Sequence, residues 1–204
     1  TKLKEIMPIP IFHDDQHGTA IICLAGLVNA LEISKKQIGN IKIVCNGAGA
    51  AGIACTKLLI SAGAKKENVF VVDTKGVIWP GRKAGMNDFK MTLANTTITK
   101  DTTLAEISTG ADVLIGVSAP NVFTEPIVKS MNKDPVIFAM ANPNPEIIPT
   151  LAKQYRPDCI IATGRSDYAN QINNVMYFPF LFRATLDCRA TSINEEMKMA
   201  AAKA

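Results

Sequence analysis

The sequence has no CxxC pair, no histidine spacing suited to zinc, no internal repeat and no low-complexity linker. The first two absences remove a zinc centre, and the last two remove a repeat array or a chain of modules on flexible tethers. No stripe of basic residues interleaved with aromatics occurs, so the net charge of +4 does not point to nucleic acid. Lysine pairs such as Lys35–Lys36 and Lys65–Lys66 read as a solvated surface. The apolar run at 20–28 is cut by Asn29 and is too short to cross a bilayer, and no signal-peptide pattern precedes it. Neither nucleic acid nor membrane is therefore an expected partner. Cys23, Cys45, Cys55, Cys159 and Cys188 sit singly inside apolar stretches, and an odd number of such thiols suggests a reducing compartment, so a cytoplasmic location is expected. The sequence opens on Thr1 rather than Met, and residues upstream of it are expected.

What is present is the balance of an ordinary folded protein, 48% hydrophobic and 20% charged over 204 residues. That length suits one large α/β domain with an appendage. Strand-like apolar segments recur at 41–45 (IKIVC), 69–73 (VFVVD), 112–117 (DVLIGV), 136–141 (VIFAMA) and 159–164 (CIIATG). Their continuous hydrophobicity predicts strands covered on both faces. Helical patterns fall between them at 51–62, 86–94 and 125–131, the last with Thr124 as a possible N-cap. A helix apolar almost all round is expected at 19–31, and two more at 178–189 and 192–203, the second with a polar face turned to solvent. The alternation predicts a doubly wound, mostly parallel sheet of the Rossmann type with flanking helices, over 36–204, preceded by a segment and helix at 1–35.

Directly after the first strand stands GAGAAG, Gly47 to Gly52, and then a helix. In that context the pattern has a mechanism. Gly47 permits the turn, Gly49 lets backbone amides approach a pyrophosphate, and Gly52 lets the helix pack closely on the strand. Ala50 and Ala51 open the helix whose unpaired amides face the phosphates. The second strand ends in Asp73, where a carboxylate can accept hydrogen bonds from the adenine ribose. Asp73 would repel a 2′-phosphate and favours NAD. Lys75 and Lys90 could reach round to neutralise such a phosphate, or could be ordinary solvated lysines, so NADP stays open. GVSAPN at 116–121 follows a strand and puts Ser118 at the expected cofactor crevice. Upstream, Asp14 and Asp15 stand together in FHDDQHGTA. They either cap the helix that follows or divide their duties between a metal ion and a neighbouring base. His13 and His17 in the same stretch read more simply as hydrogen-bonded loop residues.

Taken together, FHDDQHGTA, NGAGAAG, VDTKG, ANPNPEI, TGRSDYANQINN and INEEMK, in this order along nearly the whole chain, resemble the malic enzymes. The likeness is to the bacterial type related to the form fused to a phosphotransacetylase-like domain. The resemblance implies an NAD(P)-dependent oxidative decarboxylation of malate to pyruvate with Mg²⁺ or Mn²⁺, in a homo-oligomer. It implies that Asp15 is a metal ligand and that Asp14 supports the catalytic lysine. It also implies that Asn142 and Asn174, with Asn173 close by, line the site shared by malate and nicotinamide. Neutral amides suit that task because they bind carboxylate and carboxamide without adding charge. Taken alone, Asn142 before Pro143 reads as a turn residue and the Asn173–Asn174 pair as a polar loop. The family's general-base lysine, general-acid tyrosine and two further acidic ligands are expected upstream of Thr1, so the chain alone should not turn over malate. Two other readings remain at this stage: the coenzyme domain of an amino-acid dehydrogenase, which has no use for the acid pair, and a non-catalytic dinucleotide sensor.

Overall fold

A computed structural model describes residues 2–204. Helix α1 (Lys2–Ile6) leads through an extended stretch to a single π-helical turn, Asp14–Gly18, which runs into α2 (Thr19–Ser34). The first βαβ unit is β1 (Ile43–Asn46), α3 (Ala50–Ser61) and β2 (Val69–Asp73), after which β3 (Gly76–Val77) turns back. Two short helices, α4 (Asp88–Met91) and α5 (Leu104–Ser108), lead to β4 (Val113–Gly116). Then follow α6 (Glu125–Lys129), β5 (Val136–Ala139), α7 (Pro149–Tyr155) and β6 (Ile160–Thr163), with α8 (Phe178–Asp187) and α9 (Glu195–Lys203) closing the chain.

The six strands form one sheet in the order β3-β2-β1-β4-β5-β6, parallel throughout except for β3, which pairs antiparallel with β2. All five expected strands are present: β2 spans the expected 69–73, β1 starts two residues later and ends one residue later than its apolar run, and β4, β5 and β6 are shorter than theirs. Successive residues alternate between two cores, as the pleat requires. Ile43, Cys45, Ile115 and Phe138 pack with α2, α3 and α9, while Val44, Leu114, Ile137 and Ala139 pack with α6 and α7. Burial on both faces explains why these strands read as unbroken β-branched and apolar runs. β1 and β4 are neighbours, so the chain leaves the middle of the sheet in opposite directions and a crevice opens at their carboxyl ends.

Several local expectations change. Thr124 precedes α6 but makes no side-chain cap, and the expected helix at 86–94 shrinks to four residues capped by Asn87. α5 and α7 were not anticipated, although Thr103 and Glu106 form a capping box and Pro149 opens α7. Lys36 is not simply solvated: its Nζ donates to Asp112 at 2.9 Å, whose carboxylate also accepts from the Lys42 amide and the Asn132 side chain. That knot anchors the start of β4. Among the cysteines, four are buried as expected and Cys188 is exposed. The helical stretch Asp14–Ser34 is long and apolar enough to cross a membrane, yet Ile21, Cys23 and Leu27 in it are fully buried in the core.

Candidate coenzyme and substrate site

A cleft of about 900 Å³ lies at the carboxyl ends of β1, β2 and β4, lined among others by Gly47, Gly49, Asp73, Lys90 and Ser118. Each glycine of the turn meets a different surrounding. Gly47 has φ +128°, and a Cβ there would come within 2.5 Å of the Val117 carbonyl oxygen. A Cβ on Gly52 would stand 1.8 Å from the Gly47 carbonyl oxygen, whereas one on Gly49 would meet nothing within 4 Å. The turn is thus tight on its protein side and open toward the cleft. No side chain caps α3 at Gly49, which leaves the first amides of that helix for an outside acceptor. Ala50 and Ala51 begin α3 and do not line the cleft.

Asp73 also lines the cleft, but its carboxylate is not free. Arg82 grips it with both terminal nitrogens, Nη1 to Oδ1 at 2.7 Å and Nη2 to Oδ2 at 2.6 Å, and Lys90 Nζ reaches Oδ2 at 2.7 Å. The Lys75 amide adds a fourth bond at 2.8 Å. Arg82 is 5% exposed and was not identified from the sequence, because the β2–β3 turn, and no local spacing, carries it back to Asp73. Partial burial pushes the Asp73 carboxyl up, but Arg82, Lys90 and the Lys75 amide prevail and bring it down to about 2. An unfolded chain takes up this proton near 3.8. As pH falls from that value through about 2, the unfolded state therefore holds more protons and the folded state loses stability. Carboxyl ¹³C NMR should find Asp73 titrating near 2. The Arg82→Met substitution should raise that midpoint, and an unmoved midpoint would contradict the pairing.

The acid pair lies in the π-helical turn, which packs against α3. Neither acid caps α2: Gly18 occupies the cap position and no side chain accepts from the helix there. Instead, Asp14 Oδ2 accepts from Asn174 Nδ2 at 2.9 Å and Oδ1 from the Tyr177 hydroxyl at 2.5 Å. Two residues expected at the substrate site from opposite ends of the chain are in direct contact. Tyr177 was not identified from the sequence. Its partner Gly18 was the available signal, since a Cβ there would lie 1.8 Å from the Tyr177 hydroxyl oxygen. Burial and the adjacent Asp14 carboxylate raise the Tyr177 hydroxyl above its ordinary value, so it stays a donor.

Asp15 is exposed, and among the described residues its carboxylate accepts no hydrogen bond. That hard oxygen donor suits Mg²⁺ or Mn²⁺. No three His, Cys, Asp or Glu side chains stand together among the described residues. His17 lies next to Lys198 rather than facing Asp15, with Nδ1 at 3.3 Å from Lys198 Nζ. Burial and Lys198 lower His17 to about 4, so it is neutral near pH 7. Lys198, expected on a solvent face, is 4% exposed and ties α9 to this turn.

Asn142 follows β5, with its side chain near Gly164 at the end of β6. Asn173 donates to the Gly164 carbonyl oxygen at 3.1 Å and accepts from the Val175 amide, so its amide group serves the loop itself. Neither Asn142, Asn173 nor Asn174 lines the 900 Å³ cleft. Ser118 does, and it rests on Glu146, a fully buried carboxylate that the sequence reading passed over.

A family model described as "Malic enzyme, NAD binding domain" matches residues 16–204. The chain is 54% identical over 203 residues to an NADP-dependent malic enzyme of Salmonella typhimurium, covering 100% of this chain and 27% of that protein. It is 50% identical over 203 residues to an NAD-dependent malic enzyme of Rhizobium meliloti, covering 100% of this chain and 26% of the relative. A crystal structure of Entamoeba histolytica malic enzyme superposes with a TM-score of 0.92 at 39% identity, covering 99% of this chain and 43% of the other. The chain thus spans about a quarter of these two curated relatives and under half of the solved one.

Proposed function

The chain belongs to the malic enzyme family as its NAD(P)-binding domain, and from that premise we propose that the whole protein oxidatively decarboxylates malate to pyruvate and CO₂. The observation that carries this reading is the hydrogen bond from Asn174 to Asp14 beside the glycine-turn helix. It joins a carboxylate turn to an amide loop, a pairing for which a plain dinucleotide sensor has no use. When bound, the dinucleotide supplies a hydride acceptor and the divalent cation a Lewis acid.

The residues of this chain then bind and orient. The Gly47–Gly52 turn receives the pyrophosphate, Ser118 and Asn142 face the nicotinamide, and Asn174, with Asn173 shaping its loop, meets malate. Asp15 is the cation ligand contributed by the described residues. Asp14, held by Tyr177 and Asn174, presents its carboxylate to the base lysine. That lysine, the acid tyrosine and the other metal ligands are proposed to lie outside this chain.

We further propose NADP as the preferred coenzyme, reversing the preference that Asp73 alone suggested. With Asp73 Oδ1 accepting from Arg82 and the Lys75 amide and Oδ2 from Arg82 and Lys90, a ribose 2′-hydroxyl finds no free acceptor there. A 2′-phosphate instead meets Lys90 and the exposed Lys75. The buried apolar face of α2 supports a core helix rather than a membrane span, and the five free thiols support a reducing, cytoplasmic setting. A homo-oligomer would cover the exposed Phe180 and Leu186 of α8.

The test is an assay of the full-length protein with malate and Mn²⁺, following reduced nicotinamide together with pyruvate. Turnover is expected from the full-length protein and none from residues 1–204 alone. Full-length protein that binds coenzyme but releases no pyruvate would refute the proposed activity.

A further inference from the structure

Glu146 is 0% exposed and lies under the loops at the ends of β4 and β5. Its Oε1 accepts the Ser118 amide at 2.9 Å and its Oε2 accepts the Ala141 amide at 3.0 Å. The Ser118 hydroxyl, 3.4 Å from Oε1, in turn accepts from the Asn46 side chain at 2.8 Å. One carboxylate therefore links the carboxyl ends of β1, β4 and β5, the three strands that border the crevice.

The site is shaped for this carboxylate. A Cβ on Gly116 would lie 2.3 Å from Glu146 Cδ, so only a glycine in β4 lets the carboxylate come so close. The Glu146 backbone is itself held, because its carbonyl oxygen accepts from the Phe123 amide at 3.1 Å and the Pro145 carbonyl oxygen accepts from the Asn121 amide at 3.3 Å. Burial pushes the Glu146 carboxyl above its ordinary value, and the two amides oppose that rise. A carboxylate can receive one N–H on each oxygen, which a glutamine cannot do. Bonds to an ionised acceptor are also shorter and stronger than neutral ones.

We infer that Glu146 is a positioning residue for the nicotinamide half of the coenzyme, fixing the spacing of the Ser118 and Asn142 loops through their backbone amides. The inference rests on the proposed reading that these loops receive the nicotinamide. Glu146 touches neither ligand; it acts through Ser118 and through Ala141, the neighbour of Asn142. Glu146 makes no hydrogen bond to the Gly47–Gly52 turn or to the Asp73 cluster, which serve the adenosine half, and reaches that side only through the Ser118 hydroxyl and Asn46.

The experiment compares full-length wild type with Glu146→Gln by calorimetry. The probes are NADP or NAD, whichever the wild type binds more tightly, and the matching ADP-ribose that lacks nicotinamide. In Glu146→Gln the side-chain NH₂ faces one of the two backbone N–H groups. Affinity for the dinucleotide should fall about tenfold, and kcat with malate about tenfold, since misplacing a reacting group is costly even at small displacements. Affinity for the ADP-ribose should stay within about twofold, the scatter of a remote site. Equal losses for both probes, or no loss for either, would overturn the inference. Should the glutamine variant not fold, Glu146→Asp, too short to span both amides, is expected to give the same split. In the wild type, Ser118 and Ala141 amides that exchange with solvent as freely as loop amides would equally overturn it. The binding comparison needs no turnover, so a wild type inactive on malate would count against the proposed activity and leave the two probes to decide Glu146.

Discussion

In the full-length protein, Gly52→Ala is expected to weaken dinucleotide binding at least about a hundredfold, equivalent to about 2.7 kcal/mol. Gly49→Ala is expected to leave the fold untouched. Both glycines belong to one motif, and the contrast follows from what surrounds them. The methyl group on residue 52 would sit 1.8 Å from the Gly47 carbonyl oxygen, a backbone atom that cannot swing aside. Relief requires α3 to move off β1, and overpacking of this kind costs about 1–3 kcal/mol of stability. The same movement withdraws the first amides of α3 from the phosphates. At residue 49 the methyl group enters open space, so the melting temperature should not change, and any loss of affinity comes from crowding the ligand itself. Calorimetric titration and thermal melts of the two variants decide the matter. If Gly52→Ala bound coenzyme as tightly as wild type, the pyrophosphate would have to rest elsewhere.

Lys90→Ala should lower the preference for NADP over NAD by about 10- to 100-fold, from the loss of one charge-assisted hydrogen bond of about 1.5–3 kcal/mol. Two effects act in the same direction. The substitution removes a cation from the rim of the cleft, where a 2′-phosphate would lie. It also frees Asp73 Oδ2, now bonded to Lys90 at 2.7 Å, to accept from a ribose hydroxyl and to repel a phosphate. The ratio of kcat/KM for the two coenzymes is the measurement. An unchanged ratio, with both values lowered together, would reduce Lys90 to a support of the loop that carries it.

The strands were legible because burial on both faces demands apolar residues at every position, whichever way each side chain points. The glycine turn was legible for a related reason: close backbone approach tolerates no side chain at Gly47 or Gly52. Helices α5 and α7 carried readable signals in Thr103, Glu106 and Pro149, but are too short for apolar periodicity to reveal. The aspartate pair was legible as a polar interruption, and its reading as a helix cap was lost only when the π-helical turn placed Gly18 at the cap position.

Sequence by itself determined the alternation of strands and helices, the phosphate-binding turn and the position of Asp73, since each depends on neighbours within a few residues. Tertiary structure alone decided what the charged groups do. Arg82 neutralises Asp73, Tyr177 and Asn174 hold Asp14, Lys198 meets His17, and Glu146 gathers the ends of three strands. A hydrogen bond acts only over about 3 Å. Which groups come that close is settled by how the sheet and its helices stack, and no spacing along the chain encodes it.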